Sequence, residues 1–321
     1  MIVMHRLAAG FIGLCCAATV AAQTFPSRPI RVVVPYAPGG FTDIVARLVG
    51  QKMTERLGQA VTIDNRPGGS TIIGADMVAK SAPDGYTLLM GVTTTISTNP
   101  FMFKKLPYKA SDFAPVALTG MTPFVMVANP ALPANNVREL VALAKAKPGS
   151  VSSATLGIGS SVHLVLAMLR GAAGIDIIDV PYKGAGPALT DLLAGQVNVY
   201  FDAVPTSMPH IRSGKLKAIA MTSDARLPVA PEIPTFKESG YPSMVAYSWY
   251  GLLAPVGTPH AVIERLNAAA NDGLRSPDVR ERLIADSGVA PIMTPEQFGD
   301  LIRAHTDVWG KIIAPLKIEL D

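Results

Sequence analysis

Short apolar runs alternate along the chain with segments whose apolar positions recur every three or four residues, the pattern of strands interleaved with helices. Ile30–Pro35 reads as a strand, closed by Pro35 and the turn Pro38-Gly39-Gly40. Phe41–Leu57 carries apolar side chains at Ile44, Val45, Leu48 and Val49 and stops at Gly58, as a helix does. A strand over Ala60–Ile63, a helix over Ile72–Lys80, the turn Pro83-Asp84-Gly85 and a strand over Tyr86–Met90 complete a βαβαβ half-domain. A second block opens with the strand Phe124–Ala128 and the helix Val137–Lys147. It continues through the strand Val151–Thr155, a helix from Ser161 to Arg170, the strand Ile177–Val180, a helix over Pro187–Leu193 and the strands Val197–Phe201 and Lys217–Met221. A Pro-rich stretch (Pro228, Pro231, Pro234, Pro242) leads to the apolar run Trp249–Ala254. Helical patterns over His260–Leu274, Pro277–Ile284 and Pro295–Lys311 finish the chain. A chain of 321 residues exceeds what one core usually holds, so two α/β domains are expected.

The first 22 residues depart from this rhythm. His5 and Arg6 precede an apolar run from Leu7, and Val20-Ala21-Ala22 offers the small-residue pattern of a leader cleavage site. A signal peptide over residues 1–22 is therefore expected, with Gln23 as the mature N-terminus and a periplasmic destination. The alternative is an uncleaved anchor, for which the run is short. Met4 is a second plausible start and leads to the same expectation. Cys15 and Cys16, the chain's two cysteines, would leave with the leader. The mature protein would then have no disulfide, thiolate nucleophile or Cys-ligated metal.

Composition narrows the function classes. Apolar residues make up 49% and charged residues 16%, which excludes a disordered or coiled-coil chain. The net charge of +4 comes from 28 Lys and Arg over 24 Asp and Glu, thinly spread. The densest basic cluster is a pair such as Lys104 and Lys105, too small to track a phosphate backbone. Nucleic acid is not an expected partner.

Two Gly-rich turns open helices and are the first candidates for a site. Pro35–Asp43 holds Tyr36, Ala37, Gly39, Gly40, Phe41, Thr42 and Asp43. Free N–H groups at such a turn bind anions, and with no Lys or Arg present a carboxylate suits it better than a triphosphate. The bland alternative is an ordinary strand-to-helix turn capped by Thr42 or Asp43. The second turn, Leu156–His163, leads into a helix capped by Ser160 or Ser161. Two helix N-termini from two domains facing one cleft would suit a ligand with an anionic group at each end. Ser160 or Ser161 with His163 and Asp202 also admits a hydrolase triad. However, no G-x-S-x-G elbow is present, and residues so close at a helix start serve more naturally as caps or ligand contacts. His210, His260 and His305 are scattered, without H-E-x-x-H spacing, so no metal or other cofactor is expected. Asp179, Asp191 and Asp202 fall on separate elements and give no support to a paired-carboxylate mechanism.

An ordered series of motifs goes further. It runs through Phe25–Ile30, Tyr36–Gly40 with Asp43, Asn65–Gly69, Pro83–Leu89, Gly157–Ser160 with His163, and Val180–Gly184. Asp191–Val197, Ser213–Lys217, Thr222-Ser223, Gly251–Pro255 and Gly257–Pro259 complete it. The chain resembles the extracytoplasmic solute-binding subunits of tripartite tricarboxylate transporters, also called Bordetella uptake gene proteins. That resemblance implies a two-domain α/β type II periplasmic-binding-protein fold with a ligand cleft between the domains. Residues 23–123 and 225–321 would build the first domain and residues 124–224 the second. It also implies capture of a small carboxylate, whether mono-, di- or tricarboxylate or aromatic acid, and delivery to the large and small subunits of a membrane permease. The expected oligomeric state is a monomer, and no catalysis is expected. One ligand carboxylate would meet Tyr36–Asp43, mainly through backbone N–H groups and waters. The other end would meet Ser160, Ser161, His163, Lys183, Gly184 and Ala185. Thr93, Thr94 and Asp202 would face the cleft or else make structural bonds at strand ends.

Two positions depart from the family pattern. Phe41 stands where a small residue or proline is common, and would either wall the pocket or turn into the core. Asn198 replaces a common acidic residue. Closure would hinge near Thr122-Pro123 and Ser223–Pro228. Two other readings remain open on sequence alone. One is a sensor that presents its solute to a membrane kinase. The other is a secreted hydrolase using Ser161 and His163.

Overall fold

The computed structural model describes residues 25–285 and 291–320. The expected leader over 1–22 lies outside the described residues. The first lobe opens with β1 (Ile30–Val34), α1 (Phe41–Leu57), β2 (Val61–Asn65), α2 (Ile72–Ala79) and β3 (Thr87–Val92). β1 pairs in parallel with both β2 and β3. Its near-continuous apolar run follows from burial on both faces: Val32 and Val34 enter one core and Val33 another. A single π-helical turn, Thr94–Thr98, and the short α3 (Asn99–Met102) lead to β4 (Phe113–Ala128).

The second lobe contains α4 (Val137–Ala146), β5 (Ser152–Thr155), α5 (Ser161–Ala173), β6 (Ile178–Pro181) and α6 (Ala185–Leu193). β7 (Val199–Ala203), α7 (Val204–Arg212) and β8 (Lys217–Met221) follow. The chain then returns through β9 (Tyr247–Pro255), α8 (His260–Arg275), α9 (Pro277–Ala285) and α10 (Pro295–Ile313).

β4 joins the lobes. From Phe113 to Pro123 it pairs antiparallel with β9, and from Phe124 to Ala128 it pairs with β7 and β8. The described strands thus run β2-β1-β3-β9-β4 in one lobe and β6-β5-β7-β4-β8 in the other. Each lobe therefore sets a parallel trio beside two further strands, and β4 is shared by both lobes. The strand expected at Phe124 begins at Phe113 instead. Pro115, Gly120 and Pro123 hide its first half from pattern reading. Register shifts between Pro115 and Ala117, and between Leu118 and Gly120, let the strand carry them.

The Pro-rich stretch packs on the second core through Ala230, Ile233, Phe236, Met244 and Ala246. The Phe236 ring lies 5.6 Å from that of Phe201. The chain therefore recrosses at Ala246-Tyr247, well after the expected Ser223–Pro228. The first crossing lies at Thr122–Phe124, where β4 exchanges partners. α10 fastens both lobes: Phe298 and Ile302 enter a first-lobe core, while Trp309 and Ile313 enter that of the second. No helix among the described residues is long and apolar enough to cross a membrane.

Candidate functional site

The turn after β1 begins the site. Gly40 is the N-cap of α1 and no side chain caps it, so first-turn N–H groups stay available to a ligand. Gly39 sits at φ 95°, backbone that a glycine adopts without strain. The turn is held from behind. Asn65 Nδ2 donates to Tyr36 O and to Asp43 Oδ1, both at 3.0 Å, and Gly39 N donates to Asp43 Oδ2 at 3.2 Å. Arg47 Nε donates to both Asp43 oxygens at 3.1 Å. Burial pushes the Asp43 carboxyl up, but these donors outweigh it and hold its pKa below the usual carboxylate value. Asp43 is thus an ionised brace for the turn.

The second lobe presents two helix starts to the same space. Ser160 caps α5, its Oγ accepting from His163 N at 3.2 Å. Gly184 precedes α6, which again has no side-chain cap. The lobes touch around these starts. Ala37 N donates to Lys183 O at 2.9 Å, and Ser161 N donates to Thr94 Oγ1 at 3.1 Å. Thr98 Oγ1 donates to Gly159 O at 3.2 Å, and Ser70 Oγ donates to Ile158 O. This is a closed arrangement. The cavity it encloses measures ≈ 30 Å³, room for about two waters, so a larger solute fits only after the lobes part.

Opposite α1 lies Asp202, 1% exposed, on β7. Its Oδ2 accepts from Thr206 Oγ1 at 2.5 Å and Ser207 Oγ at 2.7 Å, and the Tyr200 hydroxyl also bonds the carboxyl. Burial dominates over these donors and pushes its pKa up to about 6. Tyr36, Tyr200 and Tyr250 complete that side. Burial raises all three phenols above their usual value, Tyr36 to about 12 against the opposing Thr94 bond, so they are neutral donors at physiological pH. None of the described residues lining the cavity is Lys, Arg or His.

The structure gathers many of the expected residues. Tyr36, Ala37, Gly40, Phe41, Thr42, Asp43, Thr94, Ser161, Ala185 and Asp202 line the cavity. Gly39, Lys183 and Gly184 stand beside it, at the contact between lobes. Three lie elsewhere. Thr93 Oγ1 accepts from Trp249 N at 3.0 Å and so ties β3 to β9. Ser160 serves as a cap. The His163 imidazole turns into its own lobe, with Nδ1 accepting from Gly159 N and Nε2 3.6 Å from Asp179. The hydrolase geometry is therefore not assembled: the imidazole is directed to Gly159 and Asp179, away from Ser161 and Asp202. Phe41 does both things considered for it, lining the cavity while its ring packs edge-on to Tyr250 at 4.8 Å. Asn198 is structural, its Oδ1 accepting from Ser152 N and Oγ.

Sequence reading missed Val92, Phe124, Tyr200, Ala203, Ser248 and Tyr250, while Leu156 and Val162 fall within the second Gly-rich turn without having been singled out. Most of these belong to strands or strand ends, where the apolar pattern does not tell which face meets the cleft. Outside the cleft, His260, Glu264 and Glu296 bring ligand-type atoms within 4.8 Å of one another, all exposed.

Two lobes on crossing strands, with helix N-termini converging on the cleft between them, define a periplasmic solute-binding protein of the type II fold. The family described as tripartite tricarboxylate transporter family receptor (TctC) matches residues 45–318, and the chain belongs to it. Among solved structures, the periplasmic binding protein BugD is 35% identical, with a TM-score of 0.88, and the match covers 92% of this chain and 99% of BugD. MatC from Rhodopseudomonas palustris with bound malate is 35% identical, with a TM-score of 0.87, covering 90% and 100%. A second R. palustris protein, solved with adipate, is 31% identical, with a TM-score of 0.88, covering 92% and 99%.

Proposed function

We propose that the chain is an exported receptor that closes its lobes on a small carboxylate and hands it to a tripartite tricarboxylate-type membrane permease of a large and a small subunit. The observation that carries this reading is the cavity itself. Two helix N-termini without side-chain caps, α1 and α6, face it from opposite lobes, and hydroxyls of Tyr36, Thr94 and Ser161 stand between them. Such donors hold an anion by dipoles and hydrogen bonds rather than by a counter-charge. The malate and adipate bound by the two R. palustris relatives support the ligand class. Leader cleavage after Ala22, action as a monomer, and closure about Thr122–Phe124 and Ala246-Tyr247 belong to the same proposal.

A thermal-shift screen of the processed protein against mono-, di- and tricarboxylates and aromatic acids tests it. A ligand at 100 times its dissociation constant stabilises a protein by about 2.7 kcal/mol. For a chain of this size that is roughly 4 °C in melting temperature. A selective shift, with the ligand recovered unchanged, is the expected result. A silent panel together with ester turnover lost in Ser161→Ala would refute the reading.

A further inference from the structure

The cavity carries two carboxylates and, among the described residues lining it, no cationic side chain. Asp43 is fully engaged by Arg47, Asn65 and Gly39 N–H. Asp202 differs. Its partners are the neutral hydroxyls of Thr206, Ser207 and Tyr200 and the Ala203 backbone N–H at the start of α7, all of its own lobe, and among the described residues no ion pair involves it. Among the described residues, the other titratable groups lining the cavity are Tyr36 after β1, Asp43 on α1, Tyr200 on β7 itself and Tyr250 on β9, and Lys183 stands beside it at the contact between lobes without lining it. The three phenols stay neutral, and Asp43 adds negative charge already balanced by Arg47. Among the described residues no cationic side chain neutralises Asp202, which meets only neutral donors. A ligand that brings only carboxylates and methylenes faces like-charge repulsion, relieved only when Asp202 takes up a proton.

We propose that Asp202 selects the ligand by demanding a hydrogen-bond donor. The solute is then a carboxylic acid bearing a hydroxyl or ammonium group on its carbon chain, preferred over the unsubstituted acid of equal length. The carboxylate binds at the helix N-termini and the donor points at Asp202. This rests on the carboxylate-receptor reading and narrows it. Sites that pair a buried polar group with a ligand donor reject the analogue lacking it, because the protein group is left unmatched.

Isothermal titration at pH 7.5 with matched triples tests the proposal: malate, aspartate and succinate; lactate, alanine and propionate; 2-hydroxyglutarate, glutamate and glutarate; mandelate, phenylglycine and phenylacetate. In the triple that binds best, the hydroxy or amino acid is expected to bind at least roughly tenfold tighter than the unsubstituted acid. A hydroxy acid on top marks a neutral donor, and an amino acid on top marks an ion pair. Asp202→Asn is expected to shrink the preference to less than about threefold, the amino acid losing more than the hydroxy acid because its counter-charge is gone. Titrating the wild type in two buffers of different ionisation enthalpy gives a readout free of the variant. The unsubstituted acid is expected to take up about one proton on binding and the donor-bearing acid almost none. Equal affinity within the triple without proton uptake, or a preference that survives Asp202→Asn, overturns the proposal and leaves the carboxylate reading standing. No binding by any acid overturns both.

Discussion

Gly186, in the first turn of α6, offers a way to separate closure from folding. A Cβ built there overlaps the Pro38 carbonyl oxygen of the opposite lobe. Gly186 lies within α6 and outside the left-handed φ range, so alanine suits its own helix and favours it by up to about 1 kcal/mol. Gly186→Ala therefore spares each lobe and blocks only their approach, by roughly 1 Å of required separation. At that distance the Ala37 N to Lys183 O bond and the bond from Ser161 N to Thr94 Oγ1 lengthen or break. At about 0.5–1.5 kcal/mol each, two such bonds weaken ligand affinity by roughly 1–3 kcal/mol, or about 5- to 150-fold. Calorimetry with the best-binding acid measures the affinity, and small-angle scattering with saturating ligand measures the radius of gyration, which is expected to stay above the wild-type closed value. Gly171→Ala on the outer face of α5, where an added Cβ meets nothing within 4 Å, is the matched control. Wild-type affinity with normal compaction in Gly186→Ala would refute the closure argument. A melting temperature several degrees lower without ligand would show instead that Gly186 is needed within its lobe.

Asp202 has a pKa of about 6 in the folded protein against about 3.8 unfolded, so the native state binds the extra proton between those values. The resulting stability is fully present below pH 3.8 and lost as pH rises through 6. The stability of Asp202→Asn relative to wild type, without ligand, should therefore rise by up to about 3 kcal/mol from pH 4 to pH 7.5. Urea melts at both values check this, and a flat difference counts against an ionising Asp202. Asn65→Ala removes the brace to Tyr36 O and Asp43 without touching the cavity, and should cost about 1–2 kcal/mol of ligand affinity by calorimetry. Trp309→Ala empties a fully buried site where α10 enters the second core. It should cost about 3–5 kcal/mol in urea unfolding, and a loss under 1 kcal/mol would mean that α10 is not docked there.

What sequence makes legible follows physical lines. α1 runs from Phe41 to Leu57 as its pattern predicts, because glycines flank it at both ends and its buried face recurs at helical spacing. α7 escaped notice because Pro205 and Pro209 both fall inside it, Pro205 harmlessly in the first turn. The Gly-rich turns marked the uncapped start of α1 and the start of α5, which Ser160 caps; the uncapped start of α6 lies after Gly184 instead. Side-chain direction is not a feature of sequence. Thr93 and Thr94 are adjacent, yet the first binds β9 and the second bridges the lobes. His163 shares a helix start with Ser161 but turns to Asp179 instead of the cavity. Tyr200 and Tyr250 lie on strands apolar on both faces, where the pattern cannot say which residue meets the cleft.

Neutral donors split between two lobes bear directly on release. An anion at one helix N-terminus gains only about 0.3–1 kcal/mol where solvent reaches it, and more when the site is partly buried. Neither α1 nor α6 alone can then hold a solute firmly. On the proposed reading, binding depends on both reaching it at once in a cavity from which water is excluded, and on the contacts between lobes that form at the same time. A lysine or arginine in one lobe would change this, because it would retain the carboxylate after the lobes parted. With the charges among the described residues lining the cavity limited to a braced Asp43 and an acidic Asp202, separation of the lobes disperses the donors and leaves Asp202 facing the ligand across a wetter cleft. Any partner that pries the lobes apart therefore lowers affinity in one step, without having to compete for the ligand.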